Sequence, residues 1–263
     1  TAGQVVIPLQ YEDAASFSEG LAAVCKDGRY GFIDKTGKLV IPAQYEYVYP
    51  FNGGLAMVSA NKKWGFIDKT GKTVVAPQYD GTYNFTAEGL ALVHKNGKWG
   101  YIDKTGKEIV ALQYDRAVSF ADGLAAVCKG GKWGFIDKSG KEIVPLSYDT
   151  VGAFYEGLAR VCKGGKWGFI DKTGKEAVSA QYEAVSGFAE GLAAVKKGGK
   201  WGYIDKTGKT VVSPKYAYAG GFSEGLAVVS SAGKYGYIDK AGKEAVAPAY
   251  EQAFDFSQGL AAV

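Results

Sequence analysis

The chain has 263 residues, of which 47% are apolar, 14% aromatic and 22% charged, with a formal net charge of +4. This composition excludes a disordered chain, and the modest charge lacks the strong basic footprint of a nucleic-acid binder. One His and three Cys leave little for imidazole catalysis or a Cys/His metal cluster, and no apolar run approaches the length of a transmembrane helix.

Read from Thr1 onward, the sequence repeats. An aromatic-Gly step occurs at Tyr30, Trp64, Trp99, Trp133, Trp167, Trp201 and Tyr235, with spacings of 34, 35, 34, 34, 34 and 34 residues. A Gly-Leu-Ala anchor keeps the same spacing, with Leu at 21, 55, 90, 124, 158, 192, 226 and 260. The one extra residue lies in Phe85-Thr86-Ala87-Glu88-Gly89, which marks that stretch as a surface loop. The expectation is a single array over residues 1–263 with incomplete first and last units. About ten residues of the Lys-Gly-Gly-Lys-Trp-Gly-Phe-Ile-Asp-Lys type would complete eight units, so the chain reads as part of something longer.

The unit from Leu124 to Asp149 shows the pattern. Leu124–Cys128 is a short apolar run and reads as a strand, Gly130-Gly131 as a tight turn, and Lys132–Asp137 as a second strand. Asp137-Lys138-Ser139-Gly140-Lys141 is a turn whose Asp accepts backbone N–H groups and whose Gly takes a positive φ. Glu142–Pro145 is a third strand, ended by Pro, which cannot donate to a ladder. Tyr148 to Gly157 reads as an irregular connector. Trp133 and Phe135 share one face of the second strand, and Gly134 on the other face leaves room for a close neighbour. The recurring aromatics are expected to form the core between units, because stacked units contact only their neighbours.

The run Lys-Trp-Gly-Phe-Ile-Asp-Lys-Thr-Gly-Lys-Glu, then Gln-Tyr, then Phe-x-Glu-Gly-Leu-Ala-x-Val, resembles the bacterial WG-repeat family, also called KWG repeats, over essentially the whole chain. The resemblance implies a β-rich repeat protein, often in exported or multidomain bacterial proteins, with no catalytic residues defined. A cell-envelope or secreted location follows from it, while the free cysteines point to a reducing setting. The hairpin is also similar in style to choline-binding repeats, but the period differs and no choline site transfers.

The fold expected is all-β: about eight 34-residue three-stranded meanders in an open twisted solenoid. The alternative is a closed propeller-like ring, with the strand ending at Val263 beside the Val5 region and the middle strand of that seam lacking. Variable copy number in the family favours the open form.

Charge is positional. Lys or Arg precedes each aromatic-Gly step, and Lys flanks each Asp turn. Stacking would align Lys35, Lys69, Lys104, Lys138, Lys172, Lys206 and Lys240 into an edge able to meet an acidic partner polyvalently. The alternative is protection of sheet edges against aggregation. The turn Asp row reads as Asx turns rather than calcium ligands, since each turn carries one acid beside a cation. The slot holding Cys25, Ser59, His94, Cys128, Cys162, Lys196 and Ser230 reads as solvent-facing from its polar replacements. Equivalent acids in every unit look structural, because an active site breaks a repeat once. The clearest departures are Tyr47 to Pro50, Tyr83 and Gly220-Gly221.

The reading is a non-enzymatic structural or protein-interaction scaffold with no cofactor and no metal. A carbohydrate or cell-wall module using the Trp row as sugar platforms is the alternative, as is self-association through the incomplete terminal units. Neither nucleic acid nor membrane insertion is expected.

Overall fold

The computed structural model describes residues 7–263. The seam expected at Val5 therefore lies outside the described residues. All regular structure among the described residues is β, in seven four-stranded antiparallel sheets, none closed into a barrel. The first sheet is β1 (Asp13–Ala14), β2 (Leu21–Lys26), β3 (Arg29–Asp34) and β4 (Leu39–Tyr45). The second is β5 (Tyr47–Val48), β6 (Leu55–Ala60), β7 (Lys63–Asp68) and β8 (Thr73–Tyr79). The third is β9 (Gly81–Thr82), β10 (Leu90–Lys95), β11 (Lys98–Asp103) and β12 (Glu108–Tyr114). The fourth is β13 (Arg116–Ala117), β14 (Leu124–Lys129), β15 (Lys132–Asp137) and β16 (Glu142–Tyr148). The fifth is β17 (Thr150–Tyr155), β18 (Leu158–Lys163), β19 (Lys166–Asp171) and β20 (Glu176–Tyr182). The sixth is β21 (Ala184–Val185), β22 (Leu192–Lys197), β23 (Lys200–Asp205) and β24 (Thr210–Tyr216). The seventh is β25 (Tyr218–Ser223), β26 (Leu226–Ser231), β27 (Lys234–Asp239) and β28 (Glu244–Tyr250).

The chain divides into two compact units. One runs through Gly130 and adds Ile136–Lys141; the other is Gly131–Phe135 with Glu142–Val263. Each contains sheets stacked face to face. In the first, Leu21, Ala23, Phe32 and Ile41 pack on Ala56, Val58 and Ile67 of the second sheet. Leu55, Met57, Phe66 and Val75 then pack on Ala91, Val93 and Ile102 of the third. In the second unit, Leu192, Ala194, Tyr203 and Val212 pack on Ala227, Val229 and Ile238. Period-2 alternation thus gives a sheet that lies between two others in its unit two buried faces, one for each neighbour.

Two features of the expected meander are corrected. The connector is not wholly irregular: its first residues pair with the following sheet, as Tyr47 opposite Ser59 and Val48 opposite Val58. The three expected strands of a unit therefore gain a fourth from the preceding connector. Pro also does not end the third strand. That strand runs on to the recurrent Tyr through a bulge, in which Phe66 opposes Val75 but Trp64 opposes Tyr79. Pro77 lies within the bulge, where the regular ladder is interrupted.

The bulge explains the Gly of the aromatic-Gly step. A Cβ on Gly65 would stand 2.3 Å from the Val75 carbonyl oxygen and 2.7 Å from the Pro77 nitrogen. The close neighbour is the backbone of the adjacent strand in the same sheet. The turn between the second and third strands of each sheet has two residues with both φ values positive, such as Asn96 (52°) and Gly97 (76°), the geometry of a type I′ turn.

The connector Phe fills the space between sheets. Its ring packs on the strand aromatic nineteen residues earlier in most repeats: Phe32–Phe51 at 4.9 Å, Tyr101–Phe120 at 4.7 Å, Phe169–Phe188 at 4.7 Å and Tyr203–Phe222 at 5.0 Å, all edge-on. Where the strand aromatic is Tyr, its hydroxyl donates to a connector carbonyl: Tyr101 to Val118 (2.6 Å), Tyr203 to Gly220 (2.9 Å) and Tyr237 to Phe254 (2.9 Å). Burial pushes the Tyr101 and Tyr203 hydroxyls well above the ordinary tyrosine range. The Tyr216 hydroxyl, by contrast, is buried without a hydrogen-bond partner.

Urea denaturation should rank four substitutions. Gly65→Ala forces a methyl into the bulge backbone and should cost about 1–3 kcal/mol. Ala232→Gly relieves a left-handed residue (φ 49°) and should gain about 1 kcal/mol. Tyr203→Phe strands the Gly220 carbonyl and should cost about 1–2 kcal/mol, whereas Tyr216→Phe removes an unpaired hydroxyl and should be neutral or stabilising. Equal losses from both Tyr→Phe changes would contradict the hydrogen-bond assignment.

Candidate functional site

Three rows of side chains recur on the surface. The first is the turn Asp. In Asp34 one carboxylate oxygen accepts from the Thr36 N–H (2.9 Å), the Thr36 hydroxyl (2.6 Å) and the Lys38 N–H (3.1 Å). Asp171 repeats this with Thr173 and Lys175, and Asp137 with Ser139 and Lys141. The carboxylate is an Asx-turn acceptor. The hydroxyl beside it, with the backbone N–H groups, holds Asp34, Asp68, Asp103, Asp137, Asp171 and Asp205 below the ordinary aspartate value.

The second row holds the sequence-predicted lysines. Lys69 pairs with Glu19 (3.0 Å), Lys206 with Glu156 (3.0 Å) and Lys240 with Glu190 (2.9 Å). Lys104 donates to the Gly53 carbonyl (3.1 Å). Lys138 helps to hold Glu88 below the usual range, behind the larger effect of the Thr86 hydroxyl. Lys172 is also engaged, and Lys35 is exposed. The acids close a second contact: Glu19 accepts from the Gly53 and Gly54 N–H groups, and Glu190 from Gly225. Each such acid ties its own connector to the next connector and to a turn lysine about fifty residues on. Side-chain exposures of 43–49% for these lysines leave part of each cation facing solvent.

A parallel tie operates at the hairpin end. Asp80 accepts from the Asn96 N–H (2.8 Å) and pairs with Lys63; Asp115 accepts from Gly130 (2.7 Å) and pairs with Lys98 (2.5 Å). The lysine in each pair holds Asp80 and Asp115 low. Sequence reading found the charges but missed these ties. Their signal is the constant separation of about seventeen residues between the strand lysine and its acid.

The third row contains the Trp residues. In the second sheet Tyr47, Ser59, Trp64 and Tyr79 lie side by side across four strands. In the third sheet the rung is Gly81, His94, Trp99 and Tyr114; in the fifth, Thr150, Cys162, Trp167 and Tyr182. The slot expected to face solvent is instead largely buried: Ser59 is 2% exposed, Cys128 4% and Ser230 5%. It is covered because the connector strand makes it an interior position and the aromatic neighbour screens it. His94 packs on Trp99 at 4.6 Å, and the cysteines are free thiols. Among the described residues no three His, Cys, Asp or Glu side chains converge on a metal-sized site.

Tyr30, Trp64, Trp99, Trp133, Trp167, Trp201 and Tyr235 are all half-buried; the buried aromatics include the strand Phe/Tyr two residues on and connector Phe residues such as Phe51. What covers each Trp changes along the chain. Tyr49 lies at 5.6 Å from Trp64 and Tyr83 at 6.1 Å from Trp99. In the fifth sheet Gly152 takes the Tyr position, Arg160 fills the space beside it, and the guanidinium sits 5.8 Å from the Trp167 ring.

The profile described as WG containing repeat matches residues 1–30, 30–64, 64–99, 99–133, 133–167, 167–201, 201–235 and 235–263. The chain belongs to this WG-repeat family. No curated protein matches it. Similar solved structures include a eukaryotic initiation factor (12% identity, TM-score 0.47, covering 92% of this chain and 76% of that one). Hsv2p of Kluyveromyces lactis is another (9%, TM-score 0.39, 86% and 92%). A third is the extracellular domain of a one-component system of B. thetaiotaomicron (11%, TM-score 0.33, 88% and 40%). No helix among the described residues is long and apolar enough to cross a membrane.

The depressed turn carboxylates have a pH consequence. Their folded pKa lies below the unfolded value, so their stabilisation is present above the ordinary aspartate range and is lost as pH falls through the folded values. Carbon-detected NMR titration should place Asp171 below 3.8, and Thr173→Ala should raise it towards that value. An unchanged Asp171 titration in the variant would contradict the role of the hydroxyl.

Proposed function

We propose that the protein is a non-enzymatic protein-interaction scaffold that displays changing side chains on an unchanging frame. The observation carrying this reading is the contrast between rows. The turn Asp repeats the same contacts from sheet to sheet, and Glu19, Glu156 and Glu190 repeat theirs with Lys69, Lys206 and Lys240, so that charge is committed to the frame. The residues beside the Trp row change along the chain: Tyr49 and Tyr83 lie beside Trp64 and Trp99, whereas Arg160, next to Gly152, lies beside Trp167. Repeat proteins generate recognition by this division, since each repeat is stabilised by its neighbours and its exposed positions are free to vary. Recurring acids with structural partners also support a non-enzymatic role.

The carbohydrate reading keeps one supporting observation. The Trp rings are half-exposed rather than buried, which leaves ring surface for stacking. Lysine positions such as Lys69 and Lys206 retain partial exposure and would add electrostatic steering to either partner.

Cross-linking in the cell of origin, followed by calorimetry with the purified candidate, tests the proposal. The expected result is saturable binding of a protein at fixed stoichiometry, weakened by substitutions over the Trp row that leave thermal stability unchanged. Binding of glycans on an array with no protein partner would overturn it.

A further inference from the structure

Tyr49 and Tyr83 occupy one position of the repeat, and no other sheet has Tyr there; the equivalents are Ala15, Val118, Gly152, Ser186, Gly220 and Phe254. Both lie in the first compact unit. Tyr49 is 49% exposed, Tyr83 55%, and Tyr47, on the same rung as Trp64, 64%. Tyr49 is inclined to Trp64 by 46° and Tyr83 to Trp99 by 33°. Each pair is therefore two tilted rings lying against each other, an exposed Tyr beside a half-buried Trp. Among the described residues, none of these five side chains uses its hydroxyl or indole N–H in a hydrogen bond within the chain. The surface is aromatic with unused donors, which suits a ligand with apolar rings and bare carbonyls.

The spacing narrows the class. The second and third sheets pack face to face, which sets equivalent points about 10 Å apart. A polyproline II helix advances about 9 Å per turn of three residues. Residues one turn apart on its face would meet successive pairs. Its carbonyls make no internal hydrogen bonds and would accept from the Tyr hydroxyls and indole N–H groups. Its conformation is already ordered before binding, which limits the entropy lost. Aromatic-lined grooves are the recognised docking surface for such segments.

The surroundings favour a peptide over a sugar. The free donors here are Tyr and Trp groups, which match bare carbonyls, whereas the carboxylate and amide groups that both orient and accept from a glycan's hydroxyls are wanting. Here the neighbouring charges are already joined: Lys63 with Asp80, Asp80 with the Asn96 N–H, and Arg29 near Glu46 at 3.8 Å. Proline brings no N–H that would need a partner.

We propose that Tyr47, Tyr49, Trp64, Tyr83 and Trp99 form a groove that docks a proline-rich polyproline II segment of a partner protein. This rests on the protein-interaction reading and names the partner's chemistry.

The test is tryptophan fluorescence and calorimetry on the whole chain with a peptide of repeated Pro-Pro-Ala triplets spanning about four turns. The comparison ligands are an equal-length peptide with Gly in place of Pro, and chitohexaose. The variants are Tyr49→Ala/Tyr83→Ala and Tyr49→Phe/Tyr83→Phe, each checked for an unchanged melting transition. The expected result is saturable binding of the proline peptide alone, weakened at least about tenfold by the alanine pair and less by the phenylalanine pair. Equal binding of the Gly peptide, binding of chitohexaose instead, no binding, or no effect of the alanine pair would each overturn the groove. A cross-linked partner that binds the purified chain when the proline peptide does not would sink this proposal and leave the interaction reading standing. Failure of both ligands would sink the two together.

Discussion

The packing of one aromatic ring against another across successive sheets is the contact on which the rest depends. A single four-stranded sheet with strands of at most seven residues has too little core to fold alone, and both of its faces are apolar. The connector Phe solves this locally. Its ring enters the gap beside the strand Phe or Tyr, so the link between two sheets also packs their interface. Phe51 against Phe32 and Phe188 against Phe169 are the same contact made in different repeats. The hydroxyls of Tyr101, Tyr203 and Tyr237 extend it by fixing the connector backbone.

Once rings set the spacing, charge secures the ends. The connector acids fasten one loop to the next and draw a lysine over the junction. These are exposed charges, and each pair contributes little alone. Their value lies in also satisfying connector N–H groups, such as those of Gly53, Gly54 and Gly225, that the sheets do not use. A frame held by repeated rings, bulges and acid–amide contacts tolerates variation elsewhere. The residues covering the half-buried Trp ring touch solvent on one side, so changing them leaves the interior intact. That separation of support from display is the physical basis for reading the protein as a recognition array.

Much of this was legible from residue spacing. The period, the strands beginning at Leu124, Lys132 and Glu142, the Asx turn at Asp137 and the unusual aromatics at Tyr47 and Tyr83 all followed from repetition and turn chemistry. Other features were not. The connector strand escaped notice because most copies are two residues long, as in Tyr47–Val48, and the longer ones, Thr150–Tyr155 and Tyr218–Ser223, are interrupted by a bulge and carry no clean alternation. The continuation of the third strand past Pro145 escaped because a bulge suspends the ladder bond that Pro lacks. The slot of Cys25, Ser59 and Cys128 looked exposed from its polar members, yet a small hydroxyl or thiol is buried there beside an aromatic ring.

The sequence by itself determined the local order: which residues turn, which alternate and which recur, because those depend on φ preferences and period-2 faces a few residues apart. Only the tertiary structure decided what the conserved-looking slots within this chain are for. The glycine beside each aromatic answers to a strand backbone 2.3 Å away at Gly65. Glu19 meets Lys69 across fifty residues. The Trp ring is half-covered rather than buried. Each of these depends on distances between segments far apart in the chain, and only the packing of one sheet on the next creates them.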